Sequence, residues 1–274
     1  MLKKLLPLLL GCALLAAETA PKGTLVILGS AETPEILVAI AKAAGGKGAV
    51  VGLIPTANEN PERSMKAWKA DFEEMGLTTL PLDVRTREDS SSPAMLATAR
   101  RCDAFWFSGG DQNRIGDKIV GTSLHKFILE KYRDGAMVGG GSAGAAIMSR
   151  IMIEGEDRFG KLDLSEIGPG AYRTREGMAF LPDHVIVDQH FLRRGRQNRL
   201  FSMVMEHPGH LCLGIDEDTA MVVKDGRATV VGKRAVMVFD PQGMNLKGDS
   251  FRNLTIHLLR SGEGIDLSTR KLFP

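Results

Sequence analysis

The chain has 274 residues, enough to bury a substantial core without cross-links and too few for several domains. Its composition, 43% hydrophobic and 25% charged, excludes a disordered chain. The formal charge is +2 with no long Lys/Arg run, which argues against a nucleic-acid partner, and three cysteines cannot build a disulfide framework.

Residues 1–17, MLKKLLPLLLGCALLAA, place two lysines before an apolar stretch that is short for a bilayer span. This is the layout of a secretory signal peptide, with Leu15-Ala16-Ala17 as its cleavage site. Leu10-Gly11-Cys12 offers lipoprotein anchoring as the alternative. Cleavage before Glu18 removes Lys3, Lys4 and Cys12 and leaves 33 basic against 33 acidic residues. Residues 18–274 are then expected to form a single exported domain with no membrane span. Its two cysteines, Cys102 and Cys212, either pair in an oxidising compartment or stay as buried thiols.

From Thr24 apolar runs alternate with helical stretches. TLVILGS (24–30) precedes the helical spacing of PEILVAIAKAA (34–44), and AVVGLIPTA (49–57) precedes PERSMKAWKADFEEMG (61–76), with Pro at its start and Gly at its end. TTLPLDV, SSPAMLATARR and DAFWFSGG (103–110) continue the rhythm. A longer helical stretch ends near Arg133-Asp134-Gly135, before AMVGGG (136–141). Such alternation predicts an α/β fold with a mostly parallel central sheet and helices on both faces. After Asp183 the runs HVIVDQHF, LCLGIDEDTAMVVK, RATVVG and AVMVFD follow closely, with Lys224-Asp225-Gly226 as a hairpin turn. They predict an antiparallel C-terminal extension.

Gly140-Gly141-Ser142-Ala143-Gly144 falls where a buried strand should pass into a helix. Gly-x-Ser-x-Gly in that context is a nucleophile elbow: a tight turn lifts the hydroxyl above the strand end, and small neighbours avoid the sheet and helix. The N–H of Ala143 is then a candidate oxyanion donor. Ser108-Gly109-Gly110-Asp111-Gln112 closes another parallel strand, at the sheet edge where α/β sites lie. Gly110 is the second oxyanion candidate and Gln112 a substrate contact.

A serine needs a base. His190, at the end of the apolar run VIVDQHF, is the best placed of six histidines, while His125 lies in a helical stretch. His207-Pro208-Gly209-His210 with Cys212 imitates ligand spacing, but Pro-Gly there reads as a helix stop, so no metal is assigned. The imidazole needs a carboxylate to fix its tautomer. Gly214-Ile215-Asp216-Glu217-Asp218-Thr219-Ala220 supplies three, with Glu217 preferred and Asp216 and Asp218 read as structural. Glu154, Glu156 and Asp157 remain rivals. Arg193, Arg194, Arg196 and Arg199 follow His190 directly and suit bidentate capture of carboxylates; with Asp188 and Gln189 they make a mixed pocket.

Together SGGDQ (108–112), GGSAGAA (140–146), DQHF with the arginines of 188–199, and GIDEDTA (214–220) resemble the cyanophycinase branch of the aspartyl-dipeptidase-like serine peptidases. The resemblance runs from about Gly23 to Asp240. It implies a Ser142-His190-Glu217 triad and a substrate pocket at Gln112, Asp188, Gln189, Arg194, Arg196 and Arg199. It implies hydrolysis of cyanophycin, a polyaspartate carrying arginine on its side chains, to β-Asp-Arg dipeptides, with no metal or other cofactor and a homodimeric assembly. Arg193 lies outside the matched pattern, and Leu28-Gly29-Ser30 is poorer in glycine than expected. The rival functions are an aspartyl or isoaspartyl dipeptidase and an exported, non-catalytic binder of acidic peptides.

Overall fold

The computed structural model describes residues 20–157 and 164–274, the side chains of Glu156 and Asp157 excepted. The signal-peptide and lipoprotein readings, with Lys3, Lys4 and Cys12, lie outside the described residues. Among the described residues no helix is long and apolar enough to cross a membrane.

The chain begins with β1 (Thr24–Leu28), α1 (Pro34–Ala43), β2 (Val50–Ile54), α2 (Pro61–Glu74), β3 (Thr78–Pro81), α3 (Pro93–Ala99) and β4 (Ala104–Phe107). It continues through α4 (Gln112–Lys118), α5 (Ser123–Asp134), β5 (Met137–Gly141), α6 (Ala143–Ala146), β6 (Ile151–Asp157), β7 (Tyr172–Glu176) and β8 (Val185–Gln189). The last part comprises α7 (Gln197–Glu206), β9 (Leu211–Ile215), β10 (Thr219–Lys224), β11 (Arg227–Gly232), β12 (Val236–Asp240), β13 (Asn245–Lys247), β14 (Ser250–Arg252), β15 (Thr255–Leu259), β16 (Gly264–Asp266) and β17 (Leu272–Phe273).

Nine strands form the main sheet in the order β17-β16-β11-β10-β1-β5-β4-β2-β3. The half from β1 to β3 is parallel, and β10, β11, β16 and β17 extend it antiparallel. Successive side chains of a strand face opposite ways. Val26, Leu28 and Trp106 therefore pack with α1 and α2, through Ile36, Ile40 and Phe72. Leu25, Ile27, Phe105 and Phe107 pack on the other face, with Ile115, Leu124 and Ile128. Asn60 and Ser92 accept hydrogen bonds from the first turns of α2 and α3, each of which begins with proline.

Three details differ from the sequence expectations. The C-terminal strands divide between two sheets, because β8, β9, β12 and β15 make a separate one in the order β15-β12-β9-β8. Within it β8 and β9 are parallel, joined by α7 as a strand-helix-strand unit. The long helical stretch before Gly135 is two helices, interrupted where Gly121 takes a positive φ of 78° and Thr122 caps α5. The helix after Ser142 is a single turn, since the chain leaves it at once for β6; Gly177 and Met178 return to bond the carbonyls of Arg150 and Ile147. The Asp225-Gly226 hairpin forms as expected, both residues at positive φ between paired Lys224 and Arg227.

His125 fastens α5 to the segment after β7. The Gly121 N–H donates to Nδ1 at 3.0 Å, so Nε2 carries the proton and donates to the Met178 carbonyl at 2.9 Å. The Gly121 bond requires the neutral ring, because a protonated Nδ1 cannot accept it. Burial is the main reason its pKa lies below the ordinary 6.5, opposed by the Met178 bond. The unfolded chain therefore binds this proton more readily than the folded one. The His125 share of stability is present above about pH 6.5 and is lost as pH falls towards the folded value. His190 and His210 act in the same direction. Urea unfolding of the wild type and His125→Gln from pH 5 to 7.5 isolates the share: the variant is expected to show the shallower decline at the acid end, and equal slopes would refute the assignment.

Candidate active site

β5 ends in three glycines, and the chain then reverses over its own sheet. A Cβ on Gly144 would stand 2.3 Å from the Phe107 carbonyl oxygen, and one on Gly140 would stand 2.8 Å from Gly144 itself. Only a glycine pair lets α6 lie this close to the strand ends. Ser142, between them, takes φ 55° and ψ −110°, a conformation costly for any residue with a Cβ. Its N–H donates to the Leu28 carbonyl, which ties the turn to the end of β1.

The Ser142 hydroxyl lies 2.8 Å from Nε2 of His190, and His190 Nδ1 lies 2.6 Å from Oε1 of Glu217. A carboxylate can only accept, so Nδ1 carries the proton and Nε2 presents its lone pair to the serine. His190 also holds a positive φ, 51°. Burial dominates the imidazole and lowers its pKa below the ordinary 6.5; the Glu217 bond opposes this, and Arg194 and Arg196 reinforce it. The ring is therefore neutral, and able to act as a base, at neutral pH.

These three side chains come from two sheets. Ser142 follows a strand of the nine-stranded sheet, His190 follows β8 of the four-stranded one, and Glu217 lies where the chain crosses between them, after β9 and before β10. The turn after β1 closes the junction. A Cβ on Gly29 would fall 2.0 Å from the Asp216 carbonyl oxygen, and the Asp218 N–H donates to the Ser30 carbonyl. The glycine-poor turn is accommodated because Ala31 adopts the left-handed conformation, at φ 56°.

The arginine run divides by burial. Arg193 and Arg194 are exposed and stand 3.8 and 4.0 Å from the Glu217 carboxylate, at its Oε2 and Oε1. Arg196 and Arg199 are buried, with Asp188 between them. Arg199 Nε is 2.9 Å from Asp188 Oδ2, an off-line contact of charge with charge, and Arg196 Nη1 is 3.5 Å from Oδ1. Arg196 Nη1 also donates to the backbone and side-chain oxygens of Gln189, both at 2.8 Å. Burial is the main force drawing Arg196 down, to a pKa of about 10, so it remains cationic at neutral pH. Two guanidinium groups face one carboxylate, and Arg196 Nε and Arg199 Nη2 have no aligned acceptor among the described residues. Both atoms are shut off from solvent, so an anion reaches them only once the surrounding side chains shift.

Other sequence candidates fall as follows. Gly109 abuts the serine, since its Cβ would stand 3.3 Å from that of Ser142, and Gly110 follows it. Ala143 begins a helix of only four residues, so its N–H acts as a single donor, with little aligned dipole behind it. Gln112 is buried and spends its Nε2 on the Ile153 carbonyl at 2.9 Å, leaving its Oε1 as the end for other contacts. Glu154 lies on β6, and the Glu156 and Asp157 side chains lie outside the described residues. Among the described residues no group of His, Cys, Asp or Glu could hold a metal ion. Cys102 and Cys212 are free thiols buried in different apolar clusters, and burial pushes Cys102 up to about 11. Asp216, expected to be structural, is buried and bonds the Arg193 N–H. Its place next to Glu217 is the signal that pointed to it.

The model of peptidase family S51 matches residues 25–231. Cyanophycinase of Synechococcus elongatus is 33% identical over 269 residues, covering 92% of this chain and 81% of the relative. Cyanophycinase of Geminocystis herdmanii is 32% identical over 266 residues, covering 91% and 96%. The crystal structure of a peptidase from an acI-B1 Actinobacterium superposes with a TM-score of 0.69, at 24% identity, over 90% of this chain and 98% of that one. With a family match over most of its length and relatives similar nearly end to end, the chain belongs to peptidase family S51 and is a cyanophycinase-like, serine-type peptidase.

Proposed function

We propose that this peptidase is an exopeptidase that hydrolyses cyanophycin to β-Asp-Arg dipeptides, with Ser142 as nucleophile, His190 as base and Glu217 as its orienter. The observation that carries the proposal is the unbroken hydrogen-bonded relay from the Ser142 hydroxyl through His190 to Glu217. Ser142 Oγ attacks an aspartyl backbone carbonyl while His190 Nε2 takes its proton. The N–H groups of Gly110 and Ala143 receive the developing oxyanion. The imidazolium, held by Glu217, returns the proton to the departing amine, and a water molecule repeats the sequence to release the acyl group.

Substrate choice rests on the arginines. The polymer displays arginine carboxylates on every unit, and guanidinium forks suit such groups; Arg196 and Arg199 would meet one only if the side chains that cover them move aside. Arg194 is exposed at the rim beside Glu217 and is free to fork onto a further carboxylate, while Gln189 and the Oε1 of Gln112 supply neutral contacts. Asp188, locked between two guanidiniums, orients them. The signal-peptide-like layout of residues 1–17 favours action outside the cytoplasm on polymer released there. The test is incubation with insoluble cyanophycin and with Asp-X dipeptides, followed by mass analysis of the soluble products. Release of β-Asp-Arg from the polymer is expected. Cleavage of the dipeptides alone would assign short-peptide specificity, and cleavage of neither, with Ser142 inert to a fluorophosphonate, would assign a binding protein.

A further inference from the structure

Asp216 is a carboxylate with 1% exposure, next in sequence to Glu217 and outside the relay. Such burial costs free energy unless the charge is engaged, and its engagement is specific. Oδ1 accepts the Arg193 N–H at 2.8 Å, and Oδ2 stands 3.8 Å from Arg234 Nη1. One residue earlier, the Ile215 carbonyl accepts the Phe191 N–H at 3.2 Å. The end of β9 thus grips the turn after His190 at two points, immediately beyond the imidazole. The same turn closes on itself through the Arg194 N–H to the His190 carbonyl, at 3.0 Å.

We infer that Asp216 is a positioning residue for the reaction: by clamping the Arg193 N–H it fixes the distance and angle between His190 and Glu217. The inference rests on the proposed roles of those residues. Its logic is mechanical. His190 has a positive φ, which a Cβ-bearing residue leaves unless its surroundings hold it. The 2.6 Å imidazole–carboxylate bond joins two chain segments, and Asp216 is the only side chain described that bonds one of those segments while lying next to the acid of the other. Asp218, one residue beyond Glu217, turns away to Arg234 at 3.3 Å.

The experiment compares Asp216→Ala and Asp216→Asn by peptide turnover and by the pH dependence of Ser142 phosphonylation with a fluorophosphonate probe. Glu217, Arg194 and Arg196 face the imidazole and are unchanged in both variants, as are Arg193 and Arg234 beside position 216. Asp216→Ala is expected to lower kcat by about 10- to 100-fold with KM within about twofold, the scale of a small misplacement of reacting groups. Its phosphonylation rate falls in step, and the acid limb moves to lower pH because the imidazolium loses an aligned Glu217. Asp216→Asn keeps an oxygen for the Arg193 N–H and recovers most of the rate. An alanine variant with unaltered rate and pH profile overturns the inference, as does an asparagine variant no better than alanine. If the alanine variant does not fold, Asp216→Leu, which keeps the shape and has no acceptor, takes its place in the same comparison. Failure of the wild type to label at Ser142 would instead overturn the proposed roles themselves.

Discussion

Ser142→Ala is expected to lower turnover of aspartyl peptides by about 10⁶-fold, with substrate affinity retained. The substitution removes one oxygen and nothing that holds the fold. The backbone of residue 142 is fixed by its own N–H to Leu28 and by the carbonyl that accepts from Ala145 and Ala146. Alanine meets the same positive φ at about the same cost, so the melting temperature should scarcely move. Without the oxygen, His190 has nothing to deprotonate except water. Whatever rate survives comes from the Gly110 and Ala143 donors and from binding. Product release followed by mass analysis, with calorimetric binding of a cyanophycin fragment to the inactive variant, separates turnover from affinity. A variant that retains more than a trace of activity would remove Ser142 from the reaction.

Glu217→Gln is expected to cost about 10⁴-fold in kcat, although it alters the shape of the site by one atom type. The carboxylate accepts from Nδ1 at 2.6 Å and so keeps the Nε2 lone pair facing Ser142. An amide can present its N–H₂ to the same nitrogen, which then becomes the acceptor and moves the proton to Nε2. That tautomer faces the serine with a donor and cannot take its proton. The amide also removes the negative charge that stabilises the imidazolium, and it leaves Arg193 and Arg194 without their neighbour. The decisive control is Glu154→Gln, with Glu156→Gln and Asp157→Asn beside it. If one of these, rather than Glu217→Gln, abolishes phosphonylation of Ser142, the acid has been misassigned.

The parallel half of the fold was open to the eye because its inner strands are buried on both faces, so TLVIL, VVGLI and AFWF read as unbroken apolar runs. The site was readable for a related reason: SGGDQ, GGSAG and DQHF each interrupt such a run with polar or small residues at the strand end. The division of the C-terminal strands into two sheets was not readable. VIVDQ and LCLGI are as fully buried as the central strands, and nothing in their composition says which sheet will hold them. The helical spacing of QNRLFSMVME between them was the missed clue, since a strand-helix-strand unit joins parallel neighbours. Burial of Arg199 was hidden too, because a guanidinium in a helix pattern reads as solvated until Asp188 is brought beside it. Asp216 and Glu217 sit side by side where the chain leaves β9 and turns towards β10, with Asp218 at a φ of 52°. Local sequence does not reveal which of the two faces the imidazole.

The alcohol and the imidazole belong to different β-layers, and the acid is on the short span of chain that passes from one to the other. Each layer has its own ladder of backbone bonds and can survive a slight slip against its neighbour, whereas a 2.8 Å contact cannot. Hydrolysis is therefore the most sensitive gauge of how the layers are seated. On gentle heating or in dilute denaturant, catalysis should fade while circular dichroism still records both layers intact, and removing the perturbant should bring it back.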